Sequence, residues 1–235
     1  MKLMNKRLTG AHLKWIALIT MLIDHIGAVL ILEQLTNLNI NPYQSMLTNP
    51  WIFSYWLSRL IGRFAFPIFS FLLVEGFIHT RNRLKYGTSL FIFFLLSEVP
   101  FDLAVSQQIL EFNSQNIFLT LLLGFLLMQT IEKTKELNPI LPFLWLIGFG
   151  LINQLLRGDY QSYGIILIFL LYYFRDDIAI RNLSLVLMGL YQMSAFLSVI
   201  PIHFYNGKRG KQPKYFFYLF YPIHLFLLAY LTKFI

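Results

Sequence analysis

The sequence predicts an all-α fold, a polytopic transmembrane bundle of about eight spans with its N-terminus in the cytoplasm. Three observations carry this: long apolar runs, scarce charge, and basic residues that alternate between loops. Of the 235 residues only 13% are charged, about half the share of a soluble domain, and 57% are hydrophobic. A run of roughly 20 apolar residues crosses a hydrocarbon core of about 30 Å at 1.5 Å per residue. Such runs place candidate spans at 13–34, 51–78, 87–105, 116–131, 140–156, 161–175, 183–202 and 215–234. They leave no room for a second domain, so the chain reads as one unit, 1–235.

The basic residues set the orientation. Lys2, Lys6 and Arg7 precede the first span and Lys14 opens it, whereas loop 35–50 has no Lys or Arg. Arg81, Arg83 and Lys85 follow the second span, loop 106–115 again has none, and Lys133 and Lys135 follow the fourth. Under the positive-inside rule this puts the N-terminus and alternate loops in the cytoplasm of a plasma or inner membrane. Eight full crossings would leave Lys208, Arg209, Lys211 and Lys214 outside, against the rule. A re-entrant segment at 161–175, whose 15 residues reach only about 22 Å, would bring them back. Both arrangements stay open, with eight crossings the working expectation.

Several function classes are excluded early. The net charge of +8 sits in loops between apolar runs, which is a membrane pattern and not a nucleic-acid one. There is no cysteine, hence no disulfide framework and no thiol nucleophile. The first apolar run is too long for a signal-peptide core and contains Asp24 and His25, so it reads as a retained span.

Ionisable residues inside the spans carry the chemistry, because a charge at the bilayer centre costs about 2.5–3.5 kcal/mol on insertion scales. Lys14 and His25 lie eleven residues apart, three turns plus about 20°, and so share one stripe. Asp24 precedes His25 near mid-depth. Arg59 and Arg63 are one turn apart on span two, ahead of a kink expected at Pro67. Depth counting puts Arg63 closer to His25 than Arg59, with both facing a cavity open to the cytoplasm and closed near His25. Glu98 and Asp102 on span three match the arginines in spacing, and charge neutralisation between the helices is the plain reading. Glu75 and His79 read as a boundary ion pair with the Arg81–Lys85 loop. His224 falls near mid-depth on the last span. A buried layer of histidines, arginines and carboxylates fits acyl transfer, proton-coupled transport, or a charge-paired scaffold.

Four ordered blocks, LKWIALITMLIDHIGAVL, GRFAFPIFSFLLVEGFIHTRNR, LSEVPFDLA and FYNGKRGKQPKYFFYLFYPIHL, resemble the TraX family, with Tyr163-Gly164 a weak signpost between them. That resemblance implies an integral membrane protein of conjugation, linked to N-terminal acetylation of pilin, and a relation to membrane acyltransferases that use acyl-CoA. Those enzymes show Arg, ten residues, then His in their first helix. Here Lys14 and His25 stand in those places, and lysine cannot make the bidentate fork of arginine. By this resemblance acetyl-CoA is the donor and a pilin-like or other membrane-associated acceptor, amine or hydroxyl, is the partner, with no metal. His25, oriented by Asp24, would be the base, and His224 a second proton carrier. Arg59 and Arg63 would stabilise the oxyanion or hold the donor, and Lys14, Arg81, Arg83, Lys208 and Arg209 would hold the donor's phosphates. A small proton-coupled transporter and a non-catalytic assembly factor are the competing readings. Turnover of acetyl-CoA separates them from the enzyme.

Overall fold

A computed structural model describes residues 7–46 and 49–235. These residues form helices joined by loops, and the extended pairing among them is limited to two isolated bridges, Leu8 with Tyr205 and Gln115 with Gly158. The elements are α1 (Gly10–His25), a π-helical turn (Ile26–Ile31), α2 (Leu32–Asn37), α3 (Pro50–Gly62), α4 (Ala65–His79) and α5 (Arg83–Val105). They continue with α6 (Ile117–Thr134), α7 (Leu141–Leu155), α8 (Gln161–Tyr173), α9 (Ile178–Tyr191), α10 (Val199–His203) and α11 (Lys214–Leu231). Short polar side chains start many of them: Asn49 caps α3 ahead of Pro50, Asn82 caps α5, Asn116 α6 and Asp177 α9. Thr9 and His12 cap α1 reciprocally.

Five helical stretches among the described residues are long and apolar enough to cross a membrane: Gly10–Asn37, Pro50–His79, Arg83–Val105, Ile117–Thr134 and Tyr215–Phe234. Three more, α7, α8 and α9, are apolar but shorter. Large apolar side chains face outward at helical spacing, such as Phe143, Ile147, Leu151 and Leu155 on α7 and Leu183, Val186, Leu187 and Leu190 on α9. Stripes of this size would be unfavourable in water and are natural against lipid tails. The chain is a multi-pass membrane protein.

The break between α3 and α4 falls at Arg63 and Phe64. Pro67 has no N–H to offer the carbonyl four residues back, which is that of Arg63, so the kink expected from Pro67 lies where the missing bond would be. Helix α1 packs antiparallel against α3 at close quarters. A Cβ on Gly62 would lie 2.1 Å from the Cβ of Asp24, and one on Gly27 would lie 1.8 Å from Ser58 Oγ. Small residues at these crossings let the two backbones approach.

The chain's return path differs from eight full crossings. Leu8 N donates to Phe204 O (3.0 Å), Gly10 N to Lys208 O (2.8 Å) and Ala11 N to Arg209 O (2.9 Å). The basic loop therefore sits on the N-terminal end of α1, whereas seven complete crossings would have carried it to the opposite end. The segment that doubles back is α9 to α10, and not 161–175. Near its start the Arg181 guanidinium lies 5.8 Å from the Phe71 ring, and just past its end Tyr205 stands 5.3 Å from the same ring. Its tip reaches inward, where Ser194 Oγ donates to Leu60 O at 2.5 Å. The expected span 183–202 thus enters and leaves at one end of the bundle. Its tip can dip into apolar surroundings because Ser194 and the turn that follows bond to protein carbonyls.

This geometry makes a labelling prediction that the cysteine-free background keeps clean. Leu84→Cys and Lys211→Cys will react with an impermeant thiol reagent from the same face of the membrane, and Phe112→Cys from the other. Labelling of positions 84 and 211 from opposite faces would refute the doubled-back segment.

Candidate functional site

A cavity of about 970 Å³ runs inward from the N-terminal end of the bundle. Lys14, Arg81, Asn82, Lys85 and Arg209 line its mouth, and Asp24, His25, Arg59, Arg63 and Asp159 line its interior. Six of the charged side chains singled out from sequence thus share one cavity: Lys14, Asp24, Arg59, Arg63, Arg81 and Arg209. Two others do not line it. Arg83 turns away to stack on Phe77, 4.2 Å from its ring centroid, and Lys208 stays on the loop surface, exposed.

His25 ends α1, immediately before the π-helical turn, and π-turns are frequent at functional sites because they rotate the following residues out of register. Its Nδ1 lies 2.6 Å from His224 Nε2, with the two rings 4.9 Å apart and 16° from parallel. His224 Nδ1 lies 2.6 Å from Phe220 O. A carbonyl can only accept, so His224 Nδ1 carries the proton and, in the neutral ring, Nε2 is a lone pair. His25 Nδ1 must then donate to it, which leaves His25 Nε2 as the free basic nitrogen. The relay from Phe220 carbonyl through His224 to His25 fixes one tautomer. His224 is buried behind His25 and is not among the cavity-lining residues.

The expected role of Asp24 as the orienting group is therefore corrected. Its Oδ2 accepts from Arg59 Nη1 at 2.7 Å, the two side chains being 15% and 20% exposed. Close contact with Gly62 holds the carboxylate against α3, toward Arg59 and away from the imidazole edge that His224 occupies. The depth argument that favoured Arg63 over Arg59 also changes: Arg59 is tied to the residue next to His25. Arg63 makes no ion pair within 4 Å among the described residues. Neither arginine pairs with Glu98, which accepts instead from the side-chain amide of Asn116, while Asp102 accepts from Glu111 N at 2.9 Å. Glu75 and His79 approach each other at 3.6 Å, and both line the cavity.

The cavity is not closed at His25. Its lining continues past that level to Ala28, Phe101, Val105 and Ser114, on the side of the bundle away from the basic mouth.

Asp159 was not legible as a site residue, because it lies in a short loop between two apolar helices. That loop is pinned from several directions. Gln115 N donates to Arg157 O (2.9 Å), Gly158 N to Asn153 O (2.9 Å), and Asn153 Nδ2 to Gln161 O (2.6 Å). Tyr160 stacks on Phe66 with ring centroids 3.6 Å apart. The Asp159 side chain is open to the cavity although protein surrounds it, and that burial, with the Asp24 charge nearby, pushes its pKa up to about 6.

The profile described as TraX protein matches residues 9–232, nearly the whole chain. The chain belongs to the TraX family. This TraX family member is also similar to the probable fimbrial assembly protein FimC, serogroup H1, of Dichelobacter nodosus. The two are 28% identical over 255 aligned positions, covering 96% of each chain. No solved structure matches.

Proposed function

We propose that this TraX family protein is an acetyltransferase of the cytoplasmic membrane, acting in pilus or fimbria assembly. It moves an acetyl group from acetyl-CoA to a pilin-like N-terminal amine or another membrane-associated acceptor, with His25 as general base. The observation that carries the reading is the Phe220–His224–His25 relay, which leaves the Nε2 lone pair of His25 uncommitted on a residue that lines a cavity with a cationic mouth.

The orientation proposed puts the N-terminal end in the cytoplasm, since the basic loop at 206–214 joins the other basic loops there. The polyanionic donor then enters at Lys14, Arg81, Lys85 and Arg209, where its phosphates meet fixed positive charge. The acceptor amine attacks the thioester carbonyl as His25 Nε2 takes its proton. The developing oxyanion is met by Arg63, which has no ion pair within 4 Å among the described residues. Collapse breaks the C–S bond, and the thiolate takes the proton from His25. An amine arriving as ammonium gives up one further proton to water. The products are the N-acetyl acceptor, the CoA thiol and that proton.

The likeness to the D. nodosus fimbrial assembly protein supports the link to assembly, and a purely structural assembly factor is the second reading it favours. Purified protein incubated in detergent with radiolabelled acetyl-CoA and an apolar peptide bearing a free amine separates the two. Label in the peptide is expected. Absence of both peptide acetylation and acetyl-CoA hydrolysis would leave the assembly factor.

A further inference from the structure

We infer that Asp159 is the acceptor-recognition residue, holding the ammonium group of an amine acceptor beside His25 and Arg63. The inference rests on the acetyltransferase reading for the fate of that amine, but not for its binding. Four charged side chains face the inner cavity: Asp24, Arg59, Arg63 and Asp159. Asp24 and Arg59 neutralise each other at 2.7 Å. Arg63 and Asp159 remain, close enough to feel each other's charge yet without a contact within 4 Å among the described residues. Two opposite charges that line one cavity without touching leave space between them that a ligand can fill. A ligand carrying an ammonium and a carbonyl oxygen does so, the first on Asp159 and the second on Arg63.

Asp24 is the rival carboxylate, since its Oδ1 is buried without a partner. Its other oxygen is committed to Arg59, and the packing on Gly62 leaves it no room to turn. Asp159 has neither restriction, and its loop is held in place on both sides. Arg157 and Gln161 both adopt left-handed backbone (φ +58° and +45°), a costly conformation for non-glycine residues that persists only where surroundings impose it.

The charge pattern gives the direction of entry. The mouth at the N-terminal end is basic and repels a cation. The other end of the cavity reaches Ser114 in loop 106–116, where Glu111 and Glu33 (bonded to Gln107) stand with Arg157 (bonded to Asn113), so that end repels an ammonium group less than the basic mouth does. Donor and acceptor then meet at His25 from opposite ends. Ala28, Phe101, Val105 and Phe118 supply apolar wall for the rest of the acceptor.

The test is equilibrium binding of an apolar tetrapeptide amide, with its N-terminus either free or acetylated, to the purified protein in detergent. Wild type is expected to prefer the free amine by at least about tenfold. Asp159→Asn should erase the preference, and Asp159→Glu should keep most of it. Equal binding of both peptides by wild type, or an undiminished preference in Asp159→Asn with an unchanged unfolding temperature, would overturn the proposal. Acetyl-CoA hydrolysis in the same samples reports on the other reading. Asp159→Asn should lose transfer to the peptide, and transfer by Asp159→Asn at the wild-type rate would refute the role in acceptor recognition. A wild type that binds the free amine selectively but never turns over acetyl-CoA would sink the acetyltransferase alone.

Discussion

His25→Ala abolishes acetyl transfer: the rate is expected to fall by roughly 10²–10⁴-fold, the usual contribution of a positioned general base. The loss should come without loss of the fold. His25 is a side chain at the end of α1 that bonds to His224, its one hydrogen-bond partner among the described residues, and His224 keeps its second anchor on Phe220 O in the variant. Gel filtration in detergent and the unfolding temperature should therefore stay near wild type while product formation disappears. His224→Ala is expected to fall between the two. It leaves His25 in place but releases the constraint on its tautomer, so a fraction of molecules present an N–H to the acceptor where a lone pair is needed. Retention of more than about a tenth of wild-type turnover by His25→Ala would remove the base assignment. Equal activity of wild type and His224→Ala would remove the relay.

The largest effect on stability belongs to the Asp24–Arg59 pair. Arg59→Met is expected to cost about 3–5 kcal/mol, because it strands a buried carboxylate whose other oxygen already lacks a partner. The second change Asp24→Asn, made in the Arg59→Met background, removes the stranded charge and should recover most of the loss, since a neutral amide is far less costly to bury unpaired than a carboxylate. Both are read from unfolding in mixed micelles. An Arg59→Met protein as stable as wild type would show that Arg63 takes over Asp24, which would also empty the argument for Arg63 as an oxyanion ligand. The pair does structural work close to the chemistry, and that is why both partners stood out from sequence as candidates for it.

Much of this protein could be read in one dimension. Apolar run length fixes helices because an unbonded backbone cannot face lipid, so the existence of the long spans did not depend on their neighbours. The kink at Arg63 follows from Pro67 four residues on. The shared stripe of Lys14 and His25 follows from helical period, and both line one cavity. The alternation of Lys and Arg exposed the single place where the span count failed, the loop at 206–214.

Its repair needed contacts between residues some 200 positions apart. Only the hydrogen bonds from Leu8, Gly10 and Ala11 to Phe204, Lys208 and Arg209 reveal that α9 and α10 double back. Length alone pointed to 161–175, because a short helix and a returning helix have the same hydropathy.

Partner choice was decided the same way. Sequence spacing placed Asp24 beside His25 and Glu98 opposite the arginines, yet adjacent residues on a helix point about 100° apart. Asp24 therefore turned to Arg59 across the Gly62 contact, and His25 turned to His224 on α11. Asp159 carried no periodic signal at all. A loop residue's place is set by what pins the loop, here Gln115, Asn153 and the Tyr160–Phe66 stack, each supplied by another element. Period and run length are local and survive in the sequence. Which charge meets which is set by helix rotation and close approach, and those exist only once the bundle has packed.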